Sequence, residues 1–215
     1  LIYVFMFGYV FKSKQQYFAI FVFIGITLWD FFNKSLIQSV KVIKANKPIV
    51  SKVYIPKFIL ILVKMGVNGF KMLISLLIIV AMLIVWRVPM TYNVIYIIPI
   101  LMTLVVLVFG CCCFLLHYGV FVEDLSNVLN IVLRFLFYLT GIFWNIMDRL
   151  PSPYNYYIGR CNPIAFLLTS ARDCVIYGST PHRKLLLLWF VIGLIISALG
   201  VRKIYKNENS YVKVI

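Results

Sequence analysis

From Phe58 to Trp86 the chain runs without an acidic residue, and Lys64 and Lys71 are the only charges before Trp86. The hydrocarbon core of a bilayer is about 30 Å thick and a helix needs roughly 20 apolar residues to cross it. This stretch is long enough to cross with some tilt. Comparable runs lie at Tyr17 to Val40, Val94 to Val120, Leu125 to Trp144 and Leu185 to Val201. With 215 residues, 63% of them hydrophobic and only 13% charged, the chain carries more apolar surface than a water-soluble fold of this size buries. The sequence therefore predicts an all-α polytopic membrane protein. Its opening run, Leu1 to Phe11, is too short to cross before Lys12 and Lys14, and reads as the remnant of a further span, with the N-terminus continuing before Leu1. A signal peptide has basic residues ahead of its apolar run and small residues after it, whereas here a bulky run stands first. Six transmembrane helices are expected, the first truncated.

The net charge of +15 is distributed between the apolar runs rather than gathered on one soluble face, which excludes nucleic acid as partner and points to anionic membrane lipids. Lys41, Lys44, Lys47, Lys52 and Lys57 make residues 41–57 too charged to stay in lipid, and Pro48 and Pro56 bracket a short amphipathic piece, Ile49 to Ile55. Cytoplasmic segments are enriched in Lys and Arg, so this loop and the tail with Arg202, Lys203, Lys206 and Lys213 are expected inside. The four runs between them satisfy that parity and put residues 148–184 outside. Arg149, Arg160, Arg172, Arg183 and Lys184 in that segment run against the charge rule, as do Lys12 and Lys14. The segment holds four prolines and an apolar stretch, Ile164 to Tyr177, broken by Arg172 and Asp173. A piece shorter than a span and so interrupted is expected to form re-entrant or interfacial helices.

Enzymatic signatures are missing: there is no GxxxxGK[ST] phosphate loop, no HExxH and no GxSxG, so the chain is not expected to hydrolyse ATP itself, and no cofactor is implied. Cys111, Cys112 and Cys113 fall mid-span as small apolar residues, and His117 is expected to bond a neighbouring helix rather than a metal. A Cys161 to Cys174 disulfide requires that their loop be extracellular. Glu123 and Asp124 lie where acids favour the positive end of the next helix, and neighbours on a helix do not share a face as a catalytic acid pair must. Asn162 and Pro163 suit a cap followed by a proline in the first turn. Arg172 reads either as a snorkelling side chain or as an anion-attracting group at a pore exit. Tyr154, Tyr156 and Tyr157 read as an interfacial belt or as a platform for sugar rings.

In combination these features resemble the permease subunits of type-2 ABC exporters, in the polysaccharide, O-antigen and teichoic acid branch. The residues that carry the resemblance are Leu28-Trp29-Asp30-Phe31-Phe32, Asn46 through Ile49 with Val53-Tyr54-Ile55-Pro56-Lys57, Phe121-Val122-Glu123-Asp124-Leu125, and Asn162-Pro163 with Arg172. In the third of these the family usually shows Phe-Arg-Asp-Leu, so only Asp124 carries over. The amphipathic helix that the family places before its first span has no counterpart here. The resemblance implies one transmembrane domain over 1–215, a homodimer with the conduit between protomers, and two copies of a separate ATP-binding subunit. It implies that Lys47, Pro48, Ile49, Lys52, Val53, Tyr54, Pro56 and Lys57 couple to that ATPase, and that residues 148–184 form short helices at the external mouth. Trp29, Phe31, Phe32, Tyr154, Tyr157 and Arg172 are the residues expected along the substrate path, with a lipid-linked glycan as substrate. The fold also serves exporters of drugs, lipids and peptides, because fold does not set substrate. A membrane-embedded transferase is the alternative from another class, and it calls for a His-Asp or multi-acid cluster that this sequence does not supply.

Overall fold

A computed structural model describes residues 17–50, 52, 55–89, 91–145, 151, 154–208 and 210–211. The expected remnant span from Leu1 to Phe11 lies outside the described residues. Among those described, every regular element is helical: α1 (Phe18–Ala45), α2 (Lys47–Val50), α3 (Lys57–Val85), a 3-10 turn (Tyr92–Tyr96), α4 (Ile97–Phe121), α5 (Leu125–Leu139), α6 (Tyr154–Cys161), α7 (Pro163–Val175) and α8 (Arg183–Lys206). Four of these are long and apolar enough to cross a membrane: α1, α3, the continuous Tyr92–Phe121 stretch that ends in α4, and α8. Of the apolar window in α1, 67% is buried, against 22% in α3 and α8, so α1 is the most enclosed.

Local chemistry sets where the helices stop. At the end of α3, Arg87 takes a positive φ of 49°, the Val88 N–H reaches back to the Leu83 carbonyl at 3.1 Å, and Pro89 follows. This is a left-handed C-terminal cap, built here on an arginine where glycine is usual. The fifth run differs from expectation. It ends at Leu139, not Trp144, leaving a helix of 15 residues, about 22 Å at about 1.5 Å per residue. Two residues stop it. The Thr140 hydroxyl donates to the Leu136 carbonyl, and Gly141 turns to a φ of 67°, a conformation that costs glycine little.

By its internal contacts the chain divides into two compact units. The first comprises Leu1–Asp30, Met72–Leu101 and Leu136–Leu186. Its core is α7, where Ala165, Leu168, Ala171 and Cys174 are fully buried. Trp29 meets the Phe137 edge at 5.5 Å, and Phe137 in turn meets Phe143. Asn93 donates to the Gly178 carbonyl at 2.5 Å, tying the turn after α3 to the end of the α7 segment.

The second unit comprises Phe31–Lys71, Met102–Phe135 and Leu187–Ile215. Here α4 is buried along Val108, Cys112, Cys113 and Leu116, and α8 packs against it through glycines. A β-carbon on Gly110 would lie 2.9 Å from the Ser197 nitrogen, and one on Gly200 would lie 2.6 Å from the Cys113 β-carbon. Small residues let two spans approach closely where lipid offers no hydrophobic drive to associate them. The Ser197 hydroxyl adds a bond to the Val106 carbonyl at 2.9 Å.

Candidate functional site

The segment after α1 turns sharply. The Asn46 carbonyl accepts from the Ile49 and Val50 N–H groups, and the Asn46 side chain donates back to the Val42 carbonyl at 2.7 Å. Pro48 sits in the first turn of α2, where its missing N–H costs nothing. Of the amphipathic piece expected over Ile49 to Ile55, Ile49 and Val50 lie in a turn of helix over Lys47–Val50, with Val50 buried and Lys47, Pro48 and Ile49 exposed. Lys52 is also exposed, and Pro56 is half-buried. Val53 and Tyr54 lie outside the described residues.

Lys57 departs from its place in that exposed set. It is 2% exposed, its ammonium donates to the Ile55 carbonyl at 3.0 Å, and it pairs with Glu208 at 3.6 Å. Burial takes it off the surface a partner protein would touch. Instead it ties the loop to the C-terminal tail, the other segment whose basic residues place it inside. A second tie lies close by: His117 Nδ1 and the Tyr211 hydroxyl are 2.8 Å apart, and Tyr211 is fully buried. Burial, with Glu208 and Cys113 nearby, pushes the Tyr211 phenol up to about 12. The phenol stays neutral and keeps its hydrogen bond. The signal available in the sequence was Glu208, an acid in a tail of lysines.

At the other end of the chain order, Asn162 caps α7, its Oδ1 accepting from the Ile164 and Ala165 N–H groups at 3.1 and 3.3 Å, and Pro163 occupies the first helical position. Arg172, near the last turn of α7, is 3% exposed. Its Nε donates to the Phe21 carbonyl at 3.1 Å, and its two terminal nitrogens donate to the Gly141 and Ile142 carbonyls at 2.9 and 2.7 Å. The guanidinium also stacks 3.6 Å from the Phe21 ring centroid. A planar fork of donors fits three converging carbonyls as an ammonium cannot. In this chain Arg172 clamps α7 to α1 and to the bend after α5. The neighbouring Asp173 carboxyl is pushed up to about 6 by burial, against the pull of Arg172.

Of the other path residues, Trp29, Phe31 and Phe32 are buried, whereas Tyr154 and Tyr157 are exposed. Arg160 on α6 stacks on Tyr156 and donates to its hydroxyl at 2.5 Å. Asp124 stands immediately before α5, its carbonyl accepting from the Asn127 and Val128 N–H groups, and its carboxylate lies 3.4 Å from the Asn127 amide. On α5 itself Asn127 and Arg134 are exposed, Asn130 is half-buried and Ser126 is buried, within a mainly apolar helix. The cysteines Cys161 and Cys174 are both free, one exposed and one buried, in place of the disulfide allowed by the sequence. No group of three or more His, Cys, Asp or Glu residues placed to hold a metal ion occurs among the described residues.

No family model matches the chain. Two proteins named O-antigen export system permease protein RfbA, both from Klebsiella pneumoniae, are 24% and 23% identical to it over 216 aligned positions, covering 100% of this chain and 82% of each relative. The protein is a multi-pass protein of the bacterial cytoplasmic membrane, and its resemblance is to the permease subunits of the O-antigen branch of the type-2 ABC exporters.

Proposed function

We propose that the chain is the permease subunit of an ATP-driven exporter that moves a lipid-linked polysaccharide across the cytoplasmic membrane. The observation that carries this reading is the similarity to two O-antigen export permeases along the entire chain, joined to apolar helices long enough to span. On this reading there are six transmembrane helices, with the first around Leu1 to Phe11 and α5 as a short fifth. The external mouth is formed by re-entrant helices within 148–184, α6 and α7. Two copies of the chain enclose the conduit and two ATP-binding subunits drive it.

The exposed turn Lys47-Pro48-Ile49 with Lys52 is the surface that receives the ATPase, together with Val53 and Tyr54. A helical turn closed on Asn46 and anchored by the buried Val50 supports that role. The pairing of Lys57 with Glu208 supports this role by fixing the base of the loop. ATP binding and hydrolysis on the partner then shift the balance between pore states through that loop. The polar residues Asn127 and Arg134 on α5 support a water-filled conduit beside that helix, because an arginine facing lipid is costly. Tyr154 and Tyr157 remain as exposed aromatic faces for sugar rings, while Trp29, Phe31, Phe32 and Arg172 hold the structure from its interior. Teichoic acid-type glycans, which are likewise lipid-linked, are the other substrate of this reading.

The test is co-purification in detergent with candidate ATP-binding subunits, for the wild type and for a Lys52→Glu, Tyr54→Ala double variant. Wild-type protein that carries ATPase activity, and a double variant that inserts in the membrane without it, are the expected results. A wild-type chain that recruits no ATP-binding subunit refutes the proposal.

A further inference from the structure

The last residues of a chain are poorly ordered unless something ties them down, and the sequence after α8, Asn207-Glu208-Asn209-Ser210-Tyr211, has little apolar surface to do so. Yet Glu208 is 8% exposed and Tyr211 is fully buried. Their backbone is wound by bonds between residues three apart, from the Asn207 N–H to the Ile204 carbonyl at 3.2 Å and from the Ser210 N–H to the Asn207 carbonyl at 3.0 Å. The Asn207 amide also donates back to the Lys203 carbonyl at 2.8 Å. Such winding brings side chains three apart into line. Tyr205, Glu208 and Tyr211 have that spacing, and all three take hold of other elements. The Tyr205 ring meets Phe58 at 5.8 Å and Glu208 pairs with Lys57 at 3.6 Å, so two of them grip the first residues of α3. Tyr211 grips the last turn of α4, its hydroxyl 2.8 Å from His117 Nδ1 and its ring 6.1 Å from that of Phe121.

Both ends of the loop after α1 are thereby tied to α4, within the second unit. At the entry the tie is direct: a β-carbon on Gly119 would run into the Val40 carbonyl and lie 2.9 Å from the Val40 α-carbon, so the end of α4 is pressed on the end of α1. At the exit the tie runs through the tail, from Lys57 and Phe58 by way of Glu208 and Tyr205 to Tyr211 and α4. Lys203 braces the root of the tail, donating to the Tyr118 hydroxyl at 2.6 Å. What α4 is told, α5 hears almost at once. The Val122 N–H still bonds back to the Tyr118 carbonyl, and the Asp124 carbonyl already accepts from the Asn127 and Val128 N–H groups, so Glu123 alone separates the hydrogen bonding of the two helices. A link that short leaves little slack to absorb a displacement of α4.

We propose that the tail over residues 205–211 is a strut that makes the loop after α1 and the junction between α4 and α5 move as one body, with Glu208 and Tyr211 as its positioning residues. The exposed turn Lys47-Pro48-Ile49 with Lys52 remains the place where a partner docks. The strut decides whether the displacement made there reaches Asn127, Asn130 and Arg134 on α5. Its two grips suit a part that must hold its place: a buried ion pair and a buried phenol-imidazole bond are both costly to leave half-made. That the strut serves an ATPase rests on the proposed function, whereas its hold on the loop and on α4 stands independently of it.

The experiment follows amide hydrogen exchange by mass spectrometry in the full chain, alone and together with an ATP-binding subunit before and after ATP is added. It compares the wild type, a Glu208→Gln, Tyr211→Phe double variant, the single Tyr211→Phe variant, and Asn93→Ala, which removes a hydrogen bond in the first unit. In the chain alone the double variant is expected to exchange about fivefold faster over residues 42–50 and 117–122, with Asn93→Ala within about twofold of wild type. No acceleration there overturns the strut, whatever the ATPase does. With the subunit present, ATP is expected to change exchange over residues 122–130 in the wild type. The double variant is expected to retain the subunit within about twofold of wild type and to lose most of that response, which a role in stability alone would leave in place. A wild type that recruits the subunit but shows no response over 122–130, a double variant that responds as the wild type does, or an equal loss in Asn93→Ala each overturn the proposal. Tyr211→Phe keeps the ring against Phe121 and is expected to lose at least half of the response, so it decides the matter where the double variant does not fold. A wild type that recruits no ATP-binding subunit refutes the export reading, and exchange in the chain alone then still decides whether the tail holds the loop to α4.

Discussion

Replacing Arg172 by methionine keeps most of the side-chain volume and removes every donor. The Phe21 carbonyl lies within α1 and retains the prospect of a helical partner. The Gly141 and Ile142 carbonyls lie in the bend after α5, and among the described residues no backbone N–H stands in for the guanidinium. A buried acceptor left unsatisfied costs about 1–3 kcal/mol, so the two together cost about 2–6 kcal/mol. At roughly 2–4 °C per kcal/mol for a chain of this size, the melting temperature in detergent should fall by about 5–20 °C. Arg172→Lys should recover only part of the loss, because one ammonium cannot reach three carbonyls in the directions the guanidinium does. Gly25→Ala provides an independent check on the same contact: a β-carbon there collides with the Arg172 terminal nitrogen, so the guanidinium has to shift off the carbonyls it bonds. Thermal unfolding followed by tryptophan fluorescence measures all three. An Arg172→Met protein that melts within about 2 °C of wild type would refute the clamp, since that is less than a single lost hydrogen bond delivers.

Gly110→Val should separate α4 from α8, because the new side chain meets the backbone at Ser197; a loss of about 1–3 kcal/mol is expected, read as a lower melting temperature. Glu208→Gln removes the carboxylate that pairs with the buried Lys57 ammonium and should destabilise by about 3 kcal/mol, whereas Glu208→Gln combined with Lys57→Met should cost less than the single change; a double-mutant cycle reads the coupling. Tyr211→Phe removes only the bond to His117 and should cost about 0.5–1.5 kcal/mol in the same assay. Asp173 holds its proton to about pH 6 when folded and to about 4 when unfolded, so between those values folding takes up a proton and stability falls as pH rises, by up to about 3 kcal/mol. Asp173→Asn should flatten the melting temperature across that window.

Much of the helical scaffold was readable before any coordinates, because a span announces itself by apolar length alone. The runs that became α1, α3, α4 and α8 are each bounded by lysines, prolines or polar turns, and their limits fall within a few residues of the structural ones. The short α7 was readable for a different reason: Asn162-Pro163 is a local signal whose cap needs no distant partner. The early end of α5 was not readable, since it depends on a hydroxyl bond at Thr140 and a left-handed Gly141, and apolar residues continue past both to Trp144. Pairings across the chain were the least accessible. Arg172 and Phe21 are separated by 151 positions, and Lys57 and Glu208 by a similar stretch, so no spacing rule connects them. Composition also misdirected at these sites. A lysine in a basic loop and an arginine beside a loop read as surface charges, yet both are buried because carbonyls and a carboxylate replace their water.

The central claim is that this chain conducts a lipid-linked glycan under the power of a partner ATPase. Its most direct measurement is the transfer of a radiolabelled lipid-linked glycan into sealed inverted vesicles that contain the chain together with an ATP-binding subunit. The account predicts accumulation that requires ATP, that is abolished by Lys52→Glu, Tyr54→Ala, and that is absent from vesicles lacking the chain. Equal accumulation without ATP, or in vesicles without the chain, would contradict it.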